Sequence, residues 1–331
     1  MSSSEMPLLP RELERDIFSK CAASFPLMRP ALIQVAARVR TWIEPTLYHH
    51  IFVCDGHRKR ETGPVNKGSY ADMPIDDFLY RHAHPASWTI LERHTRSIAI
   101  DARTACTPEL VKALSALPKL TAVCMLSTTG LKPTLLPALT ALGGLERLSM
   151  DVAPLFRDSR QTQTPRFTHP VFRHITHLHL DIFAPDWDAW ARYPVELGTH
   201  PHLTHLALGR VAECIGDYDS IEAYEALVAD ILRECARLTV LVFLCADGDE
   251  LEFCQEELGS ILSEDARSVL LLLEWSELWD DWKRSVCCME EEEEDFWARC
   301  ETWAQSRLEC EGMDGSEFTV PALLRDQLIM P

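Results

Sequence analysis

The sequence contains no apolar run long enough to cross a bilayer. No stretch of the 331 residues approaches the roughly 20 consecutive apolar residues that a membrane-spanning helix needs. The opening residues, MSSSEMPLLPRELERD, contain no basic region followed by an apolar core, so we expect no secretory signal. The sequence therefore predicts a protein that does not enter a membrane.

Basic residues are scarce relative to acidic ones. The chain has 32 Lys and Arg against 51 Asp and Glu, a net charge of −19. Nucleic acids and anionic membrane surfaces are bound through clustered Lys and Arg, so we expect neither as a general partner. The imbalance is local, because residues 1–212 carry 24 basic and 20 acidic side chains and residues 213–331 carry 8 and 31.

Motifs of common enzyme classes are also missing. The sequence has no G-x-x-x-x-G-K-[ST] phosphate loop, no H-E-x-x-H pair and no G-x-S-x-G turn. Its 12 cysteines are scattered, and the dipeptide at 287–288 lies far from the last histidine, His205. We expect reduced thiols in a cytoplasmic or nuclear protein, no cofactor, no metal and no catalysis. A metal- or thiol-dependent enzyme remains the third alternative.

The first fifty residues carry two amphipathic helical patterns. Pro10 suits the first turn of a helix, and Leu13, Ile17 and Cys21 then recur every four residues. A second apolar stripe follows and includes Leu32, Val35, Ala36, Val39 and Ile43. Two short helices with this much apolar surface need a partner surface to cover them.

The segments that carry these helices resemble a known motif. LPRELERDIF and LIQVAARVRTWIEPTLY are similar to an F-box of the kind found in fungal F-box-like proteins. That resemblance implies that residues 1–50 dock onto the Skp-type adaptor of a cullin ubiquitin ligase. The adaptor-binding residues that it implies are Leu9, Pro10, Leu13, Ile17, Phe18, Val35, Val39 and Trp42. An ordinary helical hairpin is the alternative, and FPLMRP replaces the acidic-Leu pair that usually joins the two helices.

Residues 51–94 are predicted to be a linker and a connecting helix. The stretch CDGHRKRETGPVNKGSY is polar and rich in glycine and basic groups, as expected for a surface loop. The following residues, from Ile75 to Arg93, regain a helical pattern.

A strand-and-helix repeat dominates residues 95–275. Seven apolar strands recur and align on Ile98, Val123, Leu148, Leu178, Leu206, Leu241 and Leu271, in steps of 25, 25, 30, 28, 35 and 30 residues. This pattern resembles irregular leucine-rich repeats, although the usual asparagine after LxxLxL is absent. The resemblance implies an α/β solenoid with a parallel sheet on its concave face. A doubly wound α/β domain is the alternative.

Strand alternation predicts which side chains face outward. In ITHLHLD, Leu178 and Leu180 point to the helices, and the residues between them point to the concave face. We therefore expect the following target-binding surface: Arg147, Asp151, His177, His179, Asp181 and His205. Val240 and Val242 add an apolar patch suited to protein contact. The clustered histidines leave a zinc site as an alternative.

Residues 276–331 are predicted to form an acidic cap. Trp275, Trp279 and Trp282 follow helical spacing, and the acidic run 290–295 precedes an amphipathic helix that begins near Phe296. We expect this cap to cover the end of the solenoid, with a partner-binding helix or the selection of a basic partner as alternatives.

Together these patterns predict a non-catalytic substrate receptor of a Skp–cullin–F-box-type ubiquitin ligase. The F-box would bind the adaptor, and the concave face would bind an unknown protein target. The first alternative is a repeat scaffold whose degenerate F-box does not bind the adaptor.

Overall fold

A computed structural model of the chain describes residues 9–25, 28–54, 71–101, 107–125, 133–156, 165–181, 192–209, 221–273, 282 and 295–310. In these ranges the protein is α/β, with one nine-stranded parallel sheet preceded by a small helical unit.

The N-terminal helical unit, residues 9–47, contains α1 (Arg11–Ser24), α2 (Arg29–Leu32) and α3 (Ala37–Leu47). Two acidic residues in the first turn of α1 interact favourably with the helix dipole. The three helices enclose a small core of Ala22, Leu32, Val39 and Ile43. Arg38 of α3 also donates two hydrogen bonds to the carboxylate of Glu14 on α1, at 2.7 and 2.9 Å.

All seven strands predicted from the repeat are present, and two more precede them. The strands are β1 (His50–Cys54), β2 (Ala71–Pro74), β3 (Ser97–Asp101), β4 (Ala122–Met125), β5 (Arg147–Met150), β6 (His177–Asp181), β7 (His205–Gly209), β8 (Val240–Cys245) and β9 (Ser268–Leu272). Their order in the sheet is β2-β1-β3-β4-β5-β6-β7-β8-β9.

The prediction of a linker at 51–94 is wrong at its start and at residues 71–74. Both β1 and β2 belong to the main sheet, where β1 pairs with β2 on one side and β3 on the other. Neither strand carries the leucine pattern by which the repeats are recognised, because their sequences are HIFVC and ADMP. The helical part of the prediction is confirmed by α4 (Ile75–Ala83) and α5 (Pro85–His94).

The helices that connect the strands share one core with one face of the sheet. They are α6 (Pro108–Ser115), α7 (Leu135–Ala141), α8 (Tyr193–Gly198), α9 (Ile221–Glu234), α10 (Gly248–Glu257) and α11 (Gly259–Glu264), with 3-10 turns at 153–156 and 170–172. Leu178 and Leu180 point into this core, as strand alternation predicts. A sheet that runs in chain order from β3 to β9 with these helices on one face fits a solenoid-like α/β fold better than a doubly wound one.

A threonine ladder joins the strand starts along the edge of the sheet where the strands begin, here called the N-terminal edge. The hydroxyl groups of Thr121 and Thr176 donate to main-chain carbonyl oxygens of the preceding repeat at 3.2 and 3.1 Å, and the N–H of Thr204 donates to the carbonyl oxygen of Thr176 at 3.0 Å. Each repeat is thereby tied to its neighbour, and residues just before the strands lie side by side.

The last described helix, α12 (Phe296–Cys310), lies on the opposite face of the sheet. Asp295 begins it by accepting a hydrogen bond from the N–H of Ala298 at 2.7 Å. Asp295 lies near Arg147 of β5, and Arg307 donates to the carbonyl oxygen of Ser268 of β9. The step of twelve residues from Asp295 to Arg307 corresponds to about 18 Å of helix, close to the ~19 Å of four strand spacings, so α12 crosses the strands.

The course of α12 corrects the predicted position of the cap. A terminal helix that begins at Phe296 is confirmed, but it covers a face of the sheet from β5 to β9 instead of the solenoid's end. Trp282 belongs to the same buried cluster, whereas Trp275, Trp279 and residues 290–294 lie outside the described residues.

Candidate protein-binding surfaces

A row of apolar side chains is exposed on the N-terminal helical unit. Leu13 and Ile17 lie four residues apart on one face of α1, and Leu9 precedes the helix. Their exposed fractions are 51%, 53% and 57%, unusually high for three large apolar residues so close together. Val35, between α2 and α3, is exposed to a similar degree. We call Leu9, Leu13, Ile17 and Val35 the apolar row.

The other predicted adaptor-binding residues have different environments. Pro10 is exposed and immediately precedes α1. Phe18 and Trp42 are half-buried and pack against the small core of the unit. Val39 is fully buried in that core, so its assignment to the adaptor surface is wrong. The reason is that Val39 and Ile43 lie four residues apart on the side of α3 that faces α1 and α2.

Four of the predicted target-binding residues share one face of the sheet. Arg147, His177 and His205 are neighbours across β5, β6 and β7, and Ser149 is in register with His179 one position further along. We call Arg147, Ser149, His177, His179 and His205 the histidine face. Strand alternation therefore predicted the correct side of the sheet for these residues.

The expected exposure of the histidine face is wrong, because α12 covers it. His179 and His205 are only 3% and 6% exposed. The rings of His177 and His205 are stacked with their centroids 4.0 Å apart, and the ring centroid of Trp297 lies 5.4 Å from each, with the indole nearly perpendicular to both. Aromatic contact of this kind stabilises a closed interface and leaves little of the face available to a target.

Burial controls the charge state of these histidines. It lowers the pKa of His177 to about 2, with further repulsion from His205 and Arg147, and that of His179 to about 4. Burial also lowers the pKa of His205, against the opposing effect of Glu301 on α12. At neutral pH the contact between His205 and Glu301 is therefore a hydrogen bond from a neutral imidazole and not an ion pair.

Another hydrogen bond on this face links two strands. The hydroxyl of Ser149 and the Nδ1 atom of His179 lie 2.7 Å apart and satisfy each other inside the protein. The buried imidazoles thus have specific partners within the chain, as expected for residues that hold the sheet and α12 together.

The other two predicted target-binding residues are Asp151 and Asp181. Asp151 follows β5, and its Oδ1 atom accepts a hydrogen bond from the N–H of Ala153 at 3.1 Å, at the start of a 3-10 turn. Asp181 is the last residue of β6, in register with Gly209, and its side chain lies outside the described part of the structure.

The predicted apolar patch on β8 is also covered. Val240 and Val242 are fully buried in the cluster that includes Phe296 and Trp297 of α12. The sequence held a signal for this cover, because VLVFLC and SVLLL are apolar at nearly every position, as in strands buried on both faces. Trp297 and Glu301 are the residues of the covered face that the sequence interpretation missed.

Metal and membrane binding find no support in the described ranges. No three His, Cys, Asp or Glu side chains among the described residues are grouped to hold a metal ion. None of the helices described here is long and apolar enough to span a bilayer.

The structure separates an exposed apolar row on the helical unit from a histidine face closed by α12. A scan against protein-family models finds no match for this chain, and a search of curated proteins finds no significant match.

Proposed function

We propose that this protein is a non-catalytic substrate receptor that docks onto the Skp-type adaptor of a cullin ubiquitin ligase. The observation that carries the proposal is the apolar row of the helical unit, whose members Leu9, Leu13, Ile17 and Val35 are each more than half exposed. These residues coincide with the positions that the F-box resemblance assigns to the adaptor.

Side-chain interactions hold α1 and α3 together and so fix the helix that carries Leu13 and Ile17. Ion-paired hydrogen bonds between Arg38 and Glu14 connect α3 to α1. The small core leaves Leu13 and Ile17 outside, so covering them with an apolar partner surface gains free energy at roughly 25 cal/mol per Å² removed from water.

The repeat domain, in this proposal, contacts the target. With α12 in place, His179 and His205 are not available to another protein. A target can use the histidine face only after α12 leaves it, and the exposed surfaces elsewhere on the sheet and its helices need no such change.

Adaptor binding is the decisive experiment. The purified full chain is titrated with a purified Skp-type adaptor in a calorimeter, alongside the double variant Leu13→Asp/Ile17→Asp. We expect the wild type to bind and the double variant to lose binding, because two carboxylates would be desolvated in the interface.

A matched control is available in the same chain. Val195 and Leu308 are exposed large apolar residues outside the helical unit, so Val195→Asp/Leu308→Asp introduces the same chemistry elsewhere. This control should bind the adaptor as the wild type does. Failure of the wild type to bind would contradict the proposal and favour a repeat scaffold whose F-box-like unit has lost adaptor binding.

A further inference from the structure

Positive side chains from several elements converge at the N-terminal edge of the sheet. The N–H of Arg96 donates to the carbonyl oxygen of His49 at 2.8 Å, and the N–H of Thr121 donates to that of Arg96 at 2.7 Å. The starts of β1, β3 and β4 are therefore aligned. The ring centroids of His49 and His94 lie 6.3 Å apart at the same place.

Six basic residues form this group, which we call the edge cluster. They come from α2, from the end of α5 and from the residues just before β1, β3 and β4: Arg29, His49, Arg93, His94, Arg96 and Lys119. Arg29 is held there by a hydrogen bond from its Nε atom to the carbonyl oxygen of Ala22 at 2.8 Å.

The three most exposed cations of the cluster have no acidic partner. Arg93, Arg96 and Lys119 are exposed, and within the described ranges none of them forms an ion pair. Glu92 on α5 and Glu146 before β5 lie nearby along the chain and along the edge, but neither is paired with these cations in those ranges.

The field at the two imidazoles shows the same excess of positive charge. Burial lowers the pKa of His49, and the neighbouring His94, Arg96 and Arg29 lower it further. Burial likewise lowers the pKa of His94, followed by Lys119, Arg93 and Arg96. The charged neighbours that lower these two pKa values are basic, so an anion placed among Arg93, Arg96 and Lys119 would relieve their mutual repulsion.

We infer that the edge cluster is a docking site for an acidic peptide segment of a partner protein. The aligned starts of β1, β3 and β4 cover about 10 Å, and side chains on one side of an extended peptide repeat every ~7 Å. Two or three carboxylates of a short extended segment therefore match the reach of the cluster.

A nucleic acid fits this site less well than a peptide. A polynucleotide carries its phosphates far beyond the ~10 Å over which these strand starts are aligned, whereas a short acidic segment can end there. The inference is independent of adaptor docking, because the apolar row and the edge cluster consist of different residues.

The test uses a fluorescein-labelled decaglutamate peptide and measures its anisotropy with the 331-residue protein at about 0.1 M ionic strength, where charges more than ~10 Å apart are largely screened. The charge-reversal variant Arg93→Glu/Arg96→Glu/Lys119→Glu should weaken binding at least about tenfold, equivalent to about 1.4 kcal/mol. The control Arg11→Glu/Arg15→Glu/Lys20→Glu makes the same change in net charge at exposed positions of α1, and its affinity should stay within about twofold of wild type.

Three results would overturn the inference: no binding of the peptide by the wild type, equal weakening by both triple variants, or tighter binding of a labelled decathymidylate than of the peptide. Circular dichroism establishes that each variant is folded. If the edge reversal unfolds the protein, the milder Arg93→Gln and Lys119→Gln variants replace it, and each should still weaken peptide binding measurably more than Arg15→Gln.

Discussion

The Nε2 atom of His205 on β7 lies 2.9 Å from an Oε1 atom of Glu301 on α12. This contact joins the middle of the sheet to the helix that covers it. Because burial keeps His205 neutral near pH 7, its N–H donates to the carboxylate and α12 is held without a buried positive charge. The same interface encloses His177 and His179, so its stability must depend on pH.

Acidification is expected to destabilise the protein at pH values that are still above those at which most carboxylates titrate. His50, His177 and His179 have folded-state pKa values of about 4, 2 and 4, all below the unfolded value of about 6.5. The unfolded chain therefore binds more protons, and stability present above pH 6.5 is lost as the pH falls. From about pH 7.5 to about pH 5.5 the free energy of unfolding should fall by about 1 kcal/mol per histidine, measured by urea denaturation.

His179→Gln provides the check on that assignment. Glutamine can keep a hydrogen bond to Ser149 but does not titrate, so this variant should lose less stability over the same pH interval than the wild type. His202→Gln, at an exposed position, is the control and should keep the wild-type slope. Identical slopes for all three proteins would rule out His179 as a contributor to the pH dependence.

Removal of the Glu301 carboxylate should loosen α12. Glu301→Ala leaves the buried N–H of His205 without its acceptor, and we expect a loss of about 1 kcal/mol in the free energy of unfolding at neutral pH. Glu301→Gln retains an acceptor oxygen and should lose less. If the alanine variant is as stable as the glutamine variant, the hydrogen bond does not hold the helix.

Trp297 should contribute most of the apolar stabilisation of α12. It is buried against the stacked rings of His177 and His205, so Trp297→Ala should cost about 3–5 kcal/mol in the free energy of unfolding. Leu308 lies on the same helix but is half exposed, and Leu308→Ala should change stability by less than about 0.5 kcal/mol. Similar effects of the two variants in thermal denaturation would contradict the position of α12 on the sheet.

Much of the sheet was predictable because its strands repeat a pattern with a physical cause. Alternating positions such as Leu178 and His179 must face opposite sides of a strand, and the period of the repeats fixes the order of β3 to β9. The strands β1 and β2 escaped prediction, since HIFVC and ADMP lack the leucine pattern that aligned the other strands.

The covering of the histidine face by α12 could not be predicted either, and the reason differs from that for β1 and β2. The apolar stripe of α12 indicates that one side of the helix is buried, but not which surface buries it. Val240 and Val242 were equally suited to an external partner and to a segment of the same chain. The same ambiguity explains Val39, whose side of α3 faces the unit's own core.

The helices α8 and α9 pack closely at Gly198, and replacing one of its α-hydrogens with a methyl group tests that contact. A Cβ atom on Gly198, at the end of α8, would lie 2.7 Å from the carbonyl oxygen of Glu234, which is main chain and cannot rotate away. Gly198→Ala should therefore push the two helices apart and cost about 1–3 kcal/mol in the free energy of unfolding, measured by urea denaturation.

Gly143→Ala is the matched control, because a Cβ atom there has no neighbour within 4 Å and the backbone conformation suits alanine. That control should leave stability unchanged or raise it by about 0.4–1 kcal/mol, since alanine restricts the unfolded chain. A Gly198→Ala variant as stable as the control would show that α8 and α9 do not pack as closely as the structure places them.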